Sequence, residues 1–134
     1  MDNYKKKIYD KYASVFNKSS IVFDHKDSEK WGKAYSHYLK GWLPEDKNAE
    51  IVDLACGNGK LIDFFIKKHY QNVSGVDISK EQIEIAKQIS PNIYNQDILV
   101  FLKDKNQKYD LITAFDLMEH LSKEQVFIFI KYCY

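Results

Sequence analysis

Apolar and polar positions along the chain fall into two regimes. From Tyr4 to Phe16, the residues Tyr4, Ile8, Tyr12, Val15 and Phe16 recur at helical spacing with lysines and aspartates between them, which predicts an amphipathic helix. A polar stretch around Asp24 to Ser28 precedes Trp31, Tyr35, Tyr38, Leu39 and Trp42, again at helical intervals. A second helix is predicted there, with Gly41 helping to end it. Leu43 to Asn48 (LPEDKN) gathers the first proline and clustered polar residues, and reads as a connector. Beyond it the period changes. IVDLA at 51–55 is a short β-branched run of the kind buried in parallel sheets, and CGNGK breaks it with two glycines before the helical run LIDFFIKKHY. The alternation continues with the strand NVSGV (72–76), a helix opened by Ser79 and Gln82 as a capping box, and the strand NIYNQ (92–96). A helical piece at Leu99 to Lys103 then leads to the strand YDLITAF (109–115). The last segment is rich in β-branched and aromatic residues, but Ser122 with Gln125 in the capping-box position favours a helix.

This alternation predicts an α/β fold: a Rossmann-like, doubly wound parallel sheet in three αβα layers, because parallel neighbours require long, right-handed crossovers. Ligands of such sheets bind outside the carboxyl ends of the strands. Acidic residues gather at all four ends. Strand one carries Asp53 and runs into Ala55, Cys56, Gly57, Asn58 and Gly59; strand two ends in Asp77, strand three in Asp97 and strand four in Asp116. The glycines allow a sharp turn and close approach of a ligand, and the helix that follows directs its unpaired N–H groups into the same space. Asp77 comes one βα unit after Asp53, where an acid in a nucleotide-binding fold accepts hydrogen bonds from ribose hydroxyls. Asp97 is then placed to read an exocyclic amine of a base.

Composition narrows the partners. A length of 134 residues, 45% of them hydrophobic, suits one domain. Within it, residues 1–48 form a helical segment able to act as a lid and 49–134 form the core. The net charge of +1 lacks the bulk field that holds nucleic acid or an anionic membrane. All 20 basic residues are lysine, so no guanidinium clamp for phosphate or carboxylate exists. Cys56 and Cys133 lie far apart and supply neither a zinc-site spacing nor a disulfide framework, so no metal is expected and a reducing, cytoplasmic setting fits. The start MDNYKKKIYDKY lacks the apolar core of a signal peptide, and no apolar run is long enough to span a membrane.

The segments DLACGNGKL, GVDIS, NQDI and FDLMEHL resemble, in order and spacing, the successive motifs of class I S-adenosylmethionine-dependent methyltransferases, over roughly residues 50 to 133. The resemblance implies S-adenosylmethionine as cofactor and S-adenosylhomocysteine as product. It implies that Gly57 and Gly59, with Ala55 and Cys56, pack against the methionine part while Asp53 orients its amino end. Asp77 would hold the ribose hydroxyls, Ile78 would cover one face of the adenine, and Asp97 with the Ile98 backbone would recognise the adenine edge. The backbone at Phe115 and Asp116 would meet the amino acid moiety. The implied reaction is direct in-line methyl transfer to a small-molecule or saccharide-type acceptor, with neither nucleic acid nor membrane as partner. Asp116, Glu119 and His120 follow strand four, and His120 is the candidate for contacting or deprotonating the acceptor. Tyr9, Tyr12 and Trp31 are the lid candidates.

Two departures matter. Ala55 stands where family members commonly have glycine, and the family's sheet has seven strands, so the chain is expected to lack the last ones and to expose the edge of strand four to self-association. A catalytically silent or truncated cofactor-binding module that needs a partner chain is therefore a rival reading. A second rival, an NAD-binding oxidoreductase fragment, is weakened because G-x-G-x-x-G read from Gly57 finds Ile62 in the third place. A P-loop is excluded because Leu61, not a hydroxyl residue, follows Lys60.

Overall fold

The computed structural model describes Tyr4, Lys7, Ile8 and residues 21–104 and 106–134. The helix predicted from Tyr4 to Phe16, including Tyr9 and Tyr12, therefore lies largely outside the described residues. The elements are α1 (His25–Tyr38), β1 (Glu50–Leu54), α2 (Lys60–Lys67), β2 (Asn72–Asp77), α3 (Lys80–Ala86), β3 (Ile93–Asn95), α4 (Ile98–Lys103), β4 (Leu111–Thr113), a 3-10 turn (Met118–His120) and α5 (Lys123–Cys133). All strand pairs are parallel and the order is β3-β2-β1-β4.

Helix α1 starts earlier than the aromatic spacing predicts. The Asp24 carboxylate accepts the Asp27 N–H at 3.0 Å and caps it, so the polar stretch becomes the first turn. It also ends before Trp42, in a turn where Gly41 has φ +83. The two Ser-x-x-Gln boxes differ. At Ser122 both arms form, whereas at Ser79 the Gln82 N–H donates to Ser79 Oγ at 3.4 Å but the Ser79 N–H donates to Asp77 Oδ1 at 2.8 Å. The capping box expected at Ser79 and Gln82 is thus half-formed, because a carboxylate takes the donor first.

The two faces of the sheet sort the core. Ile51 and Val73 meet Leu61, Ile62, Phe65, Ile83 and Ala86 of α2 and α3 on one side. Val52, Leu54 and Val76 meet Ile98, Leu102 and Phe129 of α4 and α5 on the other. The result is the three-layer αβα arrangement expected from the alternation. Helix α1 is added outside α2. Ser28 Oγ donates to the buried Asp63 Oδ2 at 2.6 Å, and Tyr35 meets Phe64 edge-on with ring centroids 5.8 Å apart. Among the described residues β4 forms an open sheet edge, and Phe127, Ile128 and Ile130 of α5 are exposed. No described helix is long and apolar enough to cross a membrane.

Candidate functional site

The carboxyl ends of β1, β2 and β4 open onto a cleft of about 280 Å³. Eight residues singled out from the sequence line it: Asp53, Ala55, Cys56, Gly57, Asp77, Phe115, Asp116 and His120. Asn58, named with the glycine loop, lines it too, and Tyr35, Lys60, Leu61, Ser79 and Gln82 complete the lining without having been placed there from the sequence.

The loop after β1 is shaped by left-handed backbone at Ala55 (φ 60), Gly57 (φ 54) and Gly59 (φ 90). At Ala55 that conformation costs an L residue about 1–2 kcal/mol. The Gly57 N–H donates to Asp77 Oδ2 at 2.9 Å and the Cys56 N–H to the Val76 carbonyl at 3.0 Å, so the loop is folded down onto the end of β2. Cys56 packs over Gly75, where a Cβ would come within 2.9 Å of its sulfur. Burial, reinforced by Asp77 and Asp53, pushes the Cys56 thiol well above its ordinary value, so at neutral pH it is a packing group and not a nucleophile.

Asp53 is buried, and the Thr113 hydroxyl donates to its Oδ1 at 2.8 Å. Burial outweighs that bond and, with Asp77 adding repulsion, pushes the Asp53 carboxyl up to about 7. Burial also raises Asp77, opposed by the backbone N–H groups of Ser79 and Gly57. The Tyr35 phenol is pushed up to about 12, first by burial and then by Asp53, Asp116 and Asp27, so it remains a donor. Lys60, the lysine of the lining, forms an ion pair with Asp27 and lies 5.7 Å from the centroid of the Trp31 ring.

Four residues expected at the site lie outside this lining. Gly59 is buried under α3, where a Cβ would meet Ala86 Cβ at 3.1 Å, so its part is to let α3 approach the loop. Asp97 caps α4, its Oδ1 accepting from the N–H groups of Leu99 at 2.8 Å and Val100 at 3.3 Å. Ile98 packs in the core beneath α4. Ile78 follows the end of β2, and its carbonyl accepts from Asn95 Nδ2 at 2.9 Å. Among the described residues, no group of three or more His, Cys, Asp and Glu side chains could hold a metal ion.

A doubly wound α/β domain with its cleft where the strand order reverses is the class these features define. Residues 23–125 match the family described as a methyltransferase domain, and the chain belongs to that family. It is 36% identical over 85 residues to a ubiquinone biosynthesis O-methyltransferase of Coxiella burnetii, an alignment covering 59% of this chain and 36% of the relative. A ubiquinone/menaquinone biosynthesis C-methyltransferase, UbiE, of Campylobacter jejuni is 26% identical over 97 residues, covering 64% of this chain and 39% of that one. The chain thus spans little more than a third of the length of these curated relatives. Among solved structures, magnesium protoporphyrin IX methyltransferase from Synechocystis PCC 6803, with bound SAM, superposes with a TM-score of 0.68 at 19% identity, covering 99% of this chain and 71% of that one. A SAM-dependent methyltransferase from Archaeoglobus fulgidus gives a TM-score of 0.63 at 24% identity over 83% of this chain and 52% of that one. At these identities the likeness is one of fold.

Proposed function

We propose that this chain binds S-adenosylmethionine in the strand-end cleft and serves methyl transfer to a small-molecule acceptor. The observation that carries the proposal is the charge of the lining: Asp53, Asp77 and Asp116 face the cleft, while Lys60 is paired with Asp27. Such a cleft favours a ligand carrying a sulfonium and an ammonium, and repels the pyrophosphate of a dinucleotide. Asp53 would hold the ammonium. Each oxygen of Asp77 accepts one backbone N–H, which leaves lone pairs for ribose hydroxyls. The turned loop at Ala55, Cys56 and Gly57 and the backbone at Phe115 and Asp116 would meet the methionine part. The adenine is assigned to Ile78, Asp97 and the Ile98 backbone beside the ends of β2 and β3.

When bound, this cofactor supplies a methyl already activated by its sulfonium. The chain must then supply mainly position, an effect worth up to about 7–11 kcal/mol in well-oriented cases. His120, on the turn after β4 and in the cleft lining, is the residue assigned to take a proton from the acceptor hydroxyl. Tyr35 brings α1 into the cleft wall, which supports a covering role for the helical segment. The quinone-biosynthesis relatives support a small-molecule acceptor; a saccharide-type hydroxyl is the finer alternative.

Calorimetric titration of the chain tests this reading. S-adenosylmethionine and S-adenosylhomocysteine bind, NAD does not, and Asp77→Ala weakens both sulfur ligands about 10- to 100-fold. Binding of NAD with neither sulfur ligand overturns it. His120→Ala lowers transfer to a competent acceptor about 10²- to 10⁴-fold while leaving cofactor affinity unchanged. The open β4 edge and the exposed Phe127, Ile128 and Ile130 favour a second reading, a cofactor-binding module completed by another polypeptide. S-adenosylhomocysteine binding without transfer to any acceptor selects it.

A further inference from the structure

The half-formed capping box at Ser79 leaves a polar group over. In the complete box at Ser122, the Gln125 side-chain oxygen accepts the Ser122 N–H at 2.9 Å. The equivalent donor at Ser79 is held by Asp77, so the Gln82 amide is not used by its own helix. Gln82 is only 7% exposed, and its Oε1 is buried without a hydrogen-bond partner. A buried amide oxygen in that state carries an uncompensated desolvation cost, and buried polar groups in native proteins are otherwise almost always paired.

The position of Gln82 indicates what completes it. It lines the cleft beside Asp77, Ser79 and Gly57. One helical turn further on, Ala86 meets Gly59, so this stripe of α3 faces the glycine loop. An apolar side chain of the same length would serve both helix and packing.

We propose that Gln82 is a specificity-determining residue of the cleft, whose amide pairs with a sugar hydroxyl of the bound nucleoside next to the one taken by Asp77. This rests on the S-adenosylmethionine reading above. A carboxylate only accepts, and each Asp77 oxygen already accepts a backbone N–H. An amide offers both an acceptor and donors, so either orientation of the Gln82 group presents a partner to a hydroxyl.

The test compares the wild-type chain with Gln82→Met, a variant of similar length without the amide. Calorimetry is run with S-adenosylhomocysteine and with its 2′-deoxy and 3′-deoxy analogues. Gln82→Met weakens S-adenosylhomocysteine about 5- to 20-fold. One of the two deoxy analogues binds the variant and the wild type equally, because the partner hydroxyl is already gone. The melting temperature of the ligand-free variant is equal to or above that of the wild type, since an unpaired buried oxygen has been removed; a residue needed only for structure would lower it. Unchanged affinity, an equal loss for all three ligands, or a lowered melting temperature with no deoxy analogue restoring equality overturns the proposal while leaving the cofactor reading intact. Wild-type chain that binds neither sulfur ligand overturns both.

Discussion

Asp53 must be charged to meet a cationic ligand, yet burial pushes its carboxyl up to about 7 from an ordinary value of 3.8. The folded value lies above the unfolded one, so the group favours the fold fully below about pH 4, and that contribution is lost as pH rises through about 7. Ligand binding runs the other way. Below about pH 7 the carboxyl must release its proton to take an ammonium, so the affinity for S-adenosylmethionine falls by up to about tenfold per unit of pH. Titrations between pH 5.5 and 7.5 check this, and Asp53→Asn removes the slope while weakening binding. A slope that survives in Asp53→Asn belongs to another group. Asp53, Asp77 and Gly57 were legible in the sequence because order and spacing along βα units place them. Thr113 and Tyr35 were not, because the Thr113 hydroxyl reaches Asp53 only through the β1–β4 register, and Tyr35 read as one member of an aromatic stripe.

Strand β2 owes one of its residues to the loop of its neighbour. Gly75 sits under Cys56, and a Cβ there would come within 2.9 Å of the sulfur and 3.1 Å of Ile93 Cδ1. Gly75→Ala therefore lowers stability by about 1–3 kcal/mol in urea unfolding, and adding Cys56→Ala restores part of the loss. Additive losses in the double variant would show that the crowding lies elsewhere. Element order and type were legible from the change of hydrophobic period at residue 50. The start of α1 was not, because a side chain sets it: Asp24 caps the helix and starts it early. At Ser79 the sequence pattern was real, but a carboxylate from the preceding strand outcompeted Gln82 for the donor.

Across the whole described chain, the cleft is shared between the alternating βα unit and a helix outside it. Tyr35 of α1 lies 5.7 Å, between ring centroids, from Phe115 after β4, and Ser28 anchors the same helix to Asp63. Anything that fills the cleft is thereby coupled to the docking of α1. Ser28→Ala leaves the buried Asp63 short of a partner, costs about 1–3 kcal/mol, and weakens S-adenosylhomocysteine binding along with stability. In hydrogen exchange, ligand slows the amides of α1 as well as those of the glycine loop; protection confined to the loop would show that the helix is a bystander.

The placement of Lys60 gives the chain a built-in optical reporter. Its ammonium lies over the Trp31 ring on one side and its residue lines the cleft on the other, whereas Trp42, the second indole, lies outside the cleft lining and is largely exposed. A cation brought in beside Lys60 alters the field on one indole and leaves the other as an internal reference. Occupancy can thus be followed by intrinsic emission, without label or coupled assay, and Trp42→Phe isolates the signal.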